Sequence, residues 1–272
     1  MINLAHIRWG SCASPVALLF VHGHTSSKET WKPIMGRFLD YDCYAVDLRG
    51  HGESPQPTDK NYSPLACARD VKNFIATNIP LSSKIFLIGH SMGTRVVVPL
   101  AATYPEQIAG VVIEDLDFSS RPHQRKETDE TKKKMQEFQN YHETLESLQN
   151  ALSPFFNKTY IDKWIETDRI KPYKNGYWSC IHPWVAHQTR KQLLTPSGLD
   201  YFVTLAEDTS IPTLSMVPGI NPATSPEGLA TMKEVMRRLK VDRFISADHS
   251  IHRSATDDFE YSLRKFIVGA LQ

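Results

Sequence analysis

Four short, largely apolar stretches mark the first half of the chain: Ala17–Val21, Cys43–Val46, Lys84–Ile88 and Ile108–Ile113. Each is too short for a helix, is bounded by turn residues, and fits a strand covered on both faces. Between them the apolar spacing turns helical. Lys28–Leu39 places Trp31, Ile34, Phe38 and Leu39 on one face. Pro64–Thr77 opens with a proline suited to a first helical turn, and Met92–Tyr104 follows the third strand. Strands alternating with helices of this length predict right-handed crossovers and a mostly parallel sheet flanked by helices, an α/β class.

The alternation breaks after Asp117. Residues 118–195 read as polar and helical, with aromatics accumulating at Phe155, Phe156, Tyr160, Trp164, Tyr173, Tyr177, Trp178 and Trp184. Lys132–Lys134 lie among Asp129, Glu130 and Glu137, which predicts a solvated helix face rather than a basic patch. The strand–helix rhythm then resumes with Ile211–Val217, a helix near Pro226–Leu239, Val241–Ile245 and a last helix over Thr256–Leu271. The expectation is one α/β core, 1–117 and 196–272, interrupted by a helical insertion at 118–195.

Composition narrows the partners. With 31 basic and 30 acidic side chains the net charge is +1, so no global field draws in nucleic acid or anionic lipid. The 4 cysteines are scattered, which predicts reduced and mostly buried thiols. Val16–Val21 is too short to span a bilayer and residues 1–10 lack a signal-peptide pattern, so a cytoplasmic protein without membrane insertion is expected. No metal-ligand spacing or phosphate-cradling loop stands out. A small molecule is the expected partner, no cofactor is expected, and the oligomeric state stays open.

The chemistry concentrates at Gly89-His90-Ser91-Met92-Gly93, a G-x-S-x-G pattern between a predicted strand and a predicted helix. A serine on so sharp a turn projects its hydroxyl from the sheet edge, and small neighbours let the chain pass beneath it. The helix that follows favours negative charge developing there.

Further segments stand in order around this elbow: Leu19-Phe20-Val21-His22-Gly23, Asp47-Leu48-Arg49-Gly50-His51-Gly52-Glu53-Ser54, and Asp248-His249-Ser250-Ile251-His252-Arg253. In these the chain resembles the α/β-hydrolase superfamily, in its serine-nucleophile, esterase-like branch with a cap insertion. The resemblance runs nearly end to end outside 118–195. It implies Ser91 as nucleophile and His249 as base, with His252 as competitor. Asp248 departs from the usual glycine. The backbone N–H groups of His24 and Met92 are the implied oxyanion hole, while His22 reads as a structural hydrogen-bonding residue.

The acid is harder to place. The usual position, after Ile211–Val217, offers no Asp or Glu through Pro226, and Asn221 is the nearest polar residue. The alternative position follows Ile108–Ile113, where Glu114, Asp115 and Asp117 cluster. Asp115 is favoured from the resemblance of Val112–Asp115 to relatives of that type, and Glu114 and Asp117 stay open. His90, Trp164, Trp178 and Trp184 are the expected pocket side chains, around an apolar substrate. The implied activity is ester or thioester hydrolysis through an acyl-enzyme. Carbon–carbon hydrolysis of a diketone, or slow-turnover reception of a small molecule, remain on the same scaffold.

Overall fold

The computed structural model describes residues 2–122, 127–207, 211–236 and 238–272. In chain order, β1 (His6–Gly10), β2 (Val16–Val21), α1 (Lys32–Met35), β3 (Asp42–Val46), α2 (Pro64–Asn78), β4 (Lys84–His90), α3 (Thr94–Thr103) and β5 (Ile108–Glu114) build the first half. The interruption holds α4 (Asp129–Glu137), β6 (Tyr141–His142), α5 (Leu145–Leu152), α6 (Lys158–Glu166), β7 (Ile170–Tyr173), β8 (Gly176–Ser179) and α7 (Pro183–Thr189). The chain closes with α8 (Leu199–Glu207), β9 (Thr213–Pro218), α9 (Pro226–Val235), β10 (Leu239–Phe244), α10 (Ile251–Ser254) and α11 (Thr256–Leu271).

Seven strands form one sheet in the order β1-β3-β2-β4-β5-β9-β10, parallel except for β1. The half-polar edge strand β1 carried no apolar signal and was not anticipated. Alternation along β2 explains the layering. Ala17, Leu19 and Val21 pack into a core with α2 and α3, while Leu18 and Phe20 join one with Trp31 and Phe259 on the other face. The chain winds from β2 to β3 on one side and then returns to β4 on the other. The crevice at that reversal, beyond the strands' C-terminal ends, is where ligands bind in open α/β sheets.

Two expectations change. Lys28–Leu39 is not one helix: a 3-10 turn at Lys28–Trp31 leads into four α-helical residues. Past Gly36 the backbone closes i,i+3 turns, Arg37 N–H to Ile34 O and Phe38 N–H to Met35 O. The inserted stretch is not purely helical either. It contains a three-stranded antiparallel sheet, β6-β8-β7, and its own apolar cluster around Leu148, Ile161, Trp164 and Ile181. The β7–β8 hairpin turns at Lys174-Asn175, with Lys174 at φ 54°. Gly176 already pairs with Tyr173 in β8, so the Asn175-Gly176 pair does not fill the two loop positions.

The Asp47–Ser54 segment works as a staple. Buried Asp47 accepts Lys28 N–H and Lys28 Nζ, each at 2.7 Å, and Glu53 N–H at 2.9 Å. Arg49 pairs with buried Asp70 at 2.6 Å. The lysines of α4 lie on a solvated face, where Lys132 and Lys134 pair with Asp129 and Glu130. Cys43, Cys67 and Cys180 are buried free thiols and Cys12 is exposed. Among the described residues no helix is long and apolar enough to cross a membrane.

Candidate active site

β4 delivers Ser91 to the sheet's edge with φ 49°, in the left-handed region, at the start of the 3-10 turn that opens α3. The turn is possible because Gly93 lies against β2: a Cβ there would stand 2.3 Å from Val21 O. A strand carbonyl cannot swing aside. Gly93→Ala should therefore lower stability by about 2 kcal/mol or more, read as a drop in the urea midpoint; an unchanged midpoint would contradict this packing.

At the end of β5, Asp115 sits fully buried with φ 48°. Its Oδ2 lies 2.6 Å from His249 Nδ1. Ala223 N–H donates to Oδ2 at 2.9 Å and Thr224 N–H to Oδ1 at 2.8 Å. The contact orients the imidazole with its proton on Nδ1, facing Asp115, and leaves Nε2 free to accept. The 221–224 loop thus stands where the acid is more usually found, and supplies amides to Asp115 instead. Ser91 and His249 border one cavity, with no hydrogen bond between them among the described residues. Such contacts often tighten only with substrate in place.

The competing residues have their own partners. Glu114, the last residue of β5, has partners of its own. It accepts His252 Nδ1–H at 2.8 Å and His252 backbone N–H at 2.9 Å. Thr30 Oγ1 lies 3.0 Å from His252 Nε2, so its hydroxyl donates there. Asp117 accepts Ser225 N–H and Oγ–H, each at 2.8 Å, at the start of α9. His90 Nε2–H donates to His249 O at 3.0 Å, and the two rings stand 4.8 Å apart. His90 therefore holds the His249 loop as well as bordering the cavity. His90, Glu114 and His252 bring one donor atom each within 4.8 Å of one another, the arrangement closest to a metal cluster among the described residues. Both His252 nitrogens are engaged, by Glu114 and Thr30, while the buried Nδ1 of His90 has no hydrogen-bond partner.

The loop after β2 runs beside Ser91: a Cβ on Gly23 would lie 3.2 Å from Ser91 Cβ. His22 is structural, its Nδ1–H donating to Gly23 O at 2.8 Å while Nε2 accepts Leu48 N–H at 3.1 Å. His24 Nε2–H donates to Ala186 O on α7 at 2.9 Å, tying this loop to the inserted stretch. The cavity over Ser91 measures about 650 Å³, and an adjoining one of about 370 Å³ shares His24, Thr25, Tyr160, Trp164 and Arg190.

Of the expected pocket side chains, His90 and Trp164 border these spaces. Trp178 borders a separate cavity with Lys28, Asp47 and Lys171. Trp184 packs against the His187 ring at 5.8 Å, with Lys60 Nζ 5.8 Å from its own ring. The helical period explains the second miss: Pro183, Ala186, His187 and Arg190 form the i, i+3, i+4, i+7 stripe facing the cavity, and Trp184 lies off it. The sequence reading also missed the cations on the wall, Arg121, Lys163, Arg169 and Arg190.

Burial sets a pH response. It lowers His22 and His182 to about 4 and His51 to about 3, so each stays neutral in the fold. Unfolded, they take up protons below 6.5, so stability falls as pH drops through that value toward 4. Buried Glu114 is raised to about 7 and acts oppositely, its folded form gaining stability as pH falls from 7 toward its ordinary value. Burial shifts His24, His90 and His252 the same way, and together these histidines outweigh one carboxyl. Unfolding free energy should be lower at pH 5 than at pH 7.5 by at least about 3 kcal/mol. An equal or higher urea midpoint at pH 5 would contradict this.

The family model described as "alpha/beta hydrolase fold" matches residues 16–254. The chain belongs to that family. Over 103 residues this alpha/beta hydrolase is 38% identical to 2-(acetamidomethylene)succinate hydrolase of Mesorhizobium japonicum, covering 38% of this chain and 35% of the relative. Over 115 residues it is 36% identical to N-formylmaleamate deformylase of Pseudomonas putida, covering 42% and 41%. The matches thus span well under half the length of these curated relatives. Among solved structures, one described as a marine microorganism esterase superposes with a TM-score of 0.76 at 18% identity, covering 98% of this chain and 100% of that one. The structure of E-2-(acetamidomethylene)succinate hydrolase gives 0.72 at 24% identity, covering 98% and 95%. At these identities the structural likeness speaks for the fold alone.

Proposed function

We propose that this alpha/beta hydrolase is a serine esterase or thioesterase, working on a small substrate through an acyl-enzyme at Ser91. The observation that carries the reading is the 2.6 Å contact between His249 Nδ1 and the thrice-engaged Asp115, beside the cavity that Ser91 borders. As His249 Nε2 takes the hydroxyl proton, Ser91 Oγ attacks the substrate carbonyl carbon. The oxygen of the tetrahedral intermediate is held by the N–H groups of His24 and Met92. The intermediate collapses, the leaving alcohol or thiol receives the proton from His249, and the acyl group stays on Ser91. Water, deprotonated by His249, then releases the acid and restores the serine.

In this reading 118–195 acts as a cap on the core of 1–117 and 196–272. It contributes Tyr160, Trp164, Arg169 and Arg190 to the cavity wall and excludes bulk water. A p-nitrophenyl ester series of increasing acyl length tests the proposal. The expected result is turnover that depends on Ser91 and peaks at one chain length. No Ser91-dependent turnover across the series would overturn it and redirect the search to carbon–carbon bonds.

A further inference from the structure

Charge on the wall of the Ser91 cavity is lopsided. Arg121, Lys163, Arg169 and Arg190 border it, against one carboxylate, Asp248, among the described lining residues. Arg121 is accounted for by Asp117 at 2.9 Å and Ala223 O at 2.5 Å. The others have no carboxylate partner among the described residues. Arg169 is half-buried; its Nη1 donates to Thr25 O at 3.1 Å and its buried Nε has no partner. Arg190 borders both cavities, and its side chain makes no ion pair or hydrogen bond among the described residues. Asp248 accepts Ser250 N–H at 2.9 Å. Burial lowers the pKa of both arginines, the sign of guanidinium groups held out of water without a counter-charge.

A half-buried cation without an anion is costly unless a ligand supplies one. Surface arginines find water; these two face a cavity beside the nucleophile, and Arg169 is bonded to the loop that offers the His24 N–H. Guanidinium forks match the two oxygens of a carboxylate. Tyr160, Trp164, Leu116, Leu194 and Ile220 provide an apolar stretch of the same wall.

We propose that the substrate carries a carboxylate away from the scissile bond, bound by Arg169 and Arg190, with its apolar body against Tyr160 and Trp164. This rests on the hydrolase reading for its position in the reaction, but the anion site can be measured without turnover. Calorimetry on the wild-type protein should show glutarate binding at least about tenfold tighter than its neutral isostere glutaramide. Arg190→Gln and Arg169→Gln, each checked by circular dichroism, should each erase roughly tenfold of that preference, and Arg190→Lys should restore part of it. Arg190 makes no structural hydrogen bond, so its variant remains informative if Arg169→Gln misfolds.

A kinetic arm separates the two claims. kcat/KM for p-nitrophenyl hydrogen adipate should exceed that for neutral p-nitrophenyl 6-methylheptanoate, and the ratio should shrink with added salt and in Arg190→Gln. Equal affinity for glutarate and glutaramide, or a preference untouched in folded Arg190→Gln, overturns the anion site. Ser91-dependent hydrolysis that ignores charge overturns it alone. Glutarate preference without any Ser91-dependent hydrolysis keeps the site and overturns the esterase reading.

Discussion

Ser91→Ala should leave a folded protein whose kcat/KM toward its best activated ester has fallen by on the order of 10⁶. The hydroxyl is the atom that forms the acyl bond in the proposed reaction, and no neighbouring side chain is placed to replace it. Alanine keeps a Cβ and loses one oxygen, so the left-handed backbone at φ 49° is retained with little change in packing. His24, Met92 and the cavity wall are untouched, so ligand affinity should survive while turnover does not. The comparison needs a circular dichroism spectrum, a thermal midpoint and a progress curve. A folded variant that still turns over at more than about a hundredth of the wild-type rate would remove Ser91 from the mechanism.

Asp115→Asn is the second large effect, a loss on the order of 10⁴ in kcat. Two consequences combine. The amide is neutral, so it no longer stabilises the imidazolium that the proposed reaction forms when His249 takes the serine proton. Its NH₂ must also face another donor whichever way it turns. On the Oδ2 side it meets Ala223 N–H and His249 Nδ1–H, and on the Oδ1 side Thr224 N–H. Either orientation leaves buried donors opposed, at a cost of about 1–3 kcal/mol in stability. Asn221→Ala, on the loop where the acid is more usually found, should change kcat by less than about threefold. Steady-state kinetics of the pair decide the matter, since a larger loss in Asn221→Ala would return the orienting role to that loop.

The alternatives left open by the sequence turn out to have separate partners. Glu114 and His252, each weighed for a catalytic role, are hydrogen-bonded to one another beneath the site. Asp117 is tied to Ser225. Glu114 closes β5 and Asp115 follows it with left-handed backbone, and the two carboxylates reach two histidines three positions apart. No linear reading could pair them, because each contact joins segments more than a hundred residues apart.

What the sequence determined by itself is local. The apolar runs specified β2, β3, β4, β5, β9 and β10, helical spacing specified α2, α3 and α11, and the glycines around Ser91 specified a sharp turn. These follow from backbone sterics and side-chain period, which act over a few residues. Tertiary structure decided what depends on distant segments meeting. It ended the helix after Met35 and folded a hairpin into the inserted stretch. It turned Trp178 and Trp184 away from the cavity and brought Arg169 and Arg190 to its wall. Whether a side chain is core, pocket or surface depends on which face another element covers, and a charge becomes informative only when the fold leaves it half-buried without a partner.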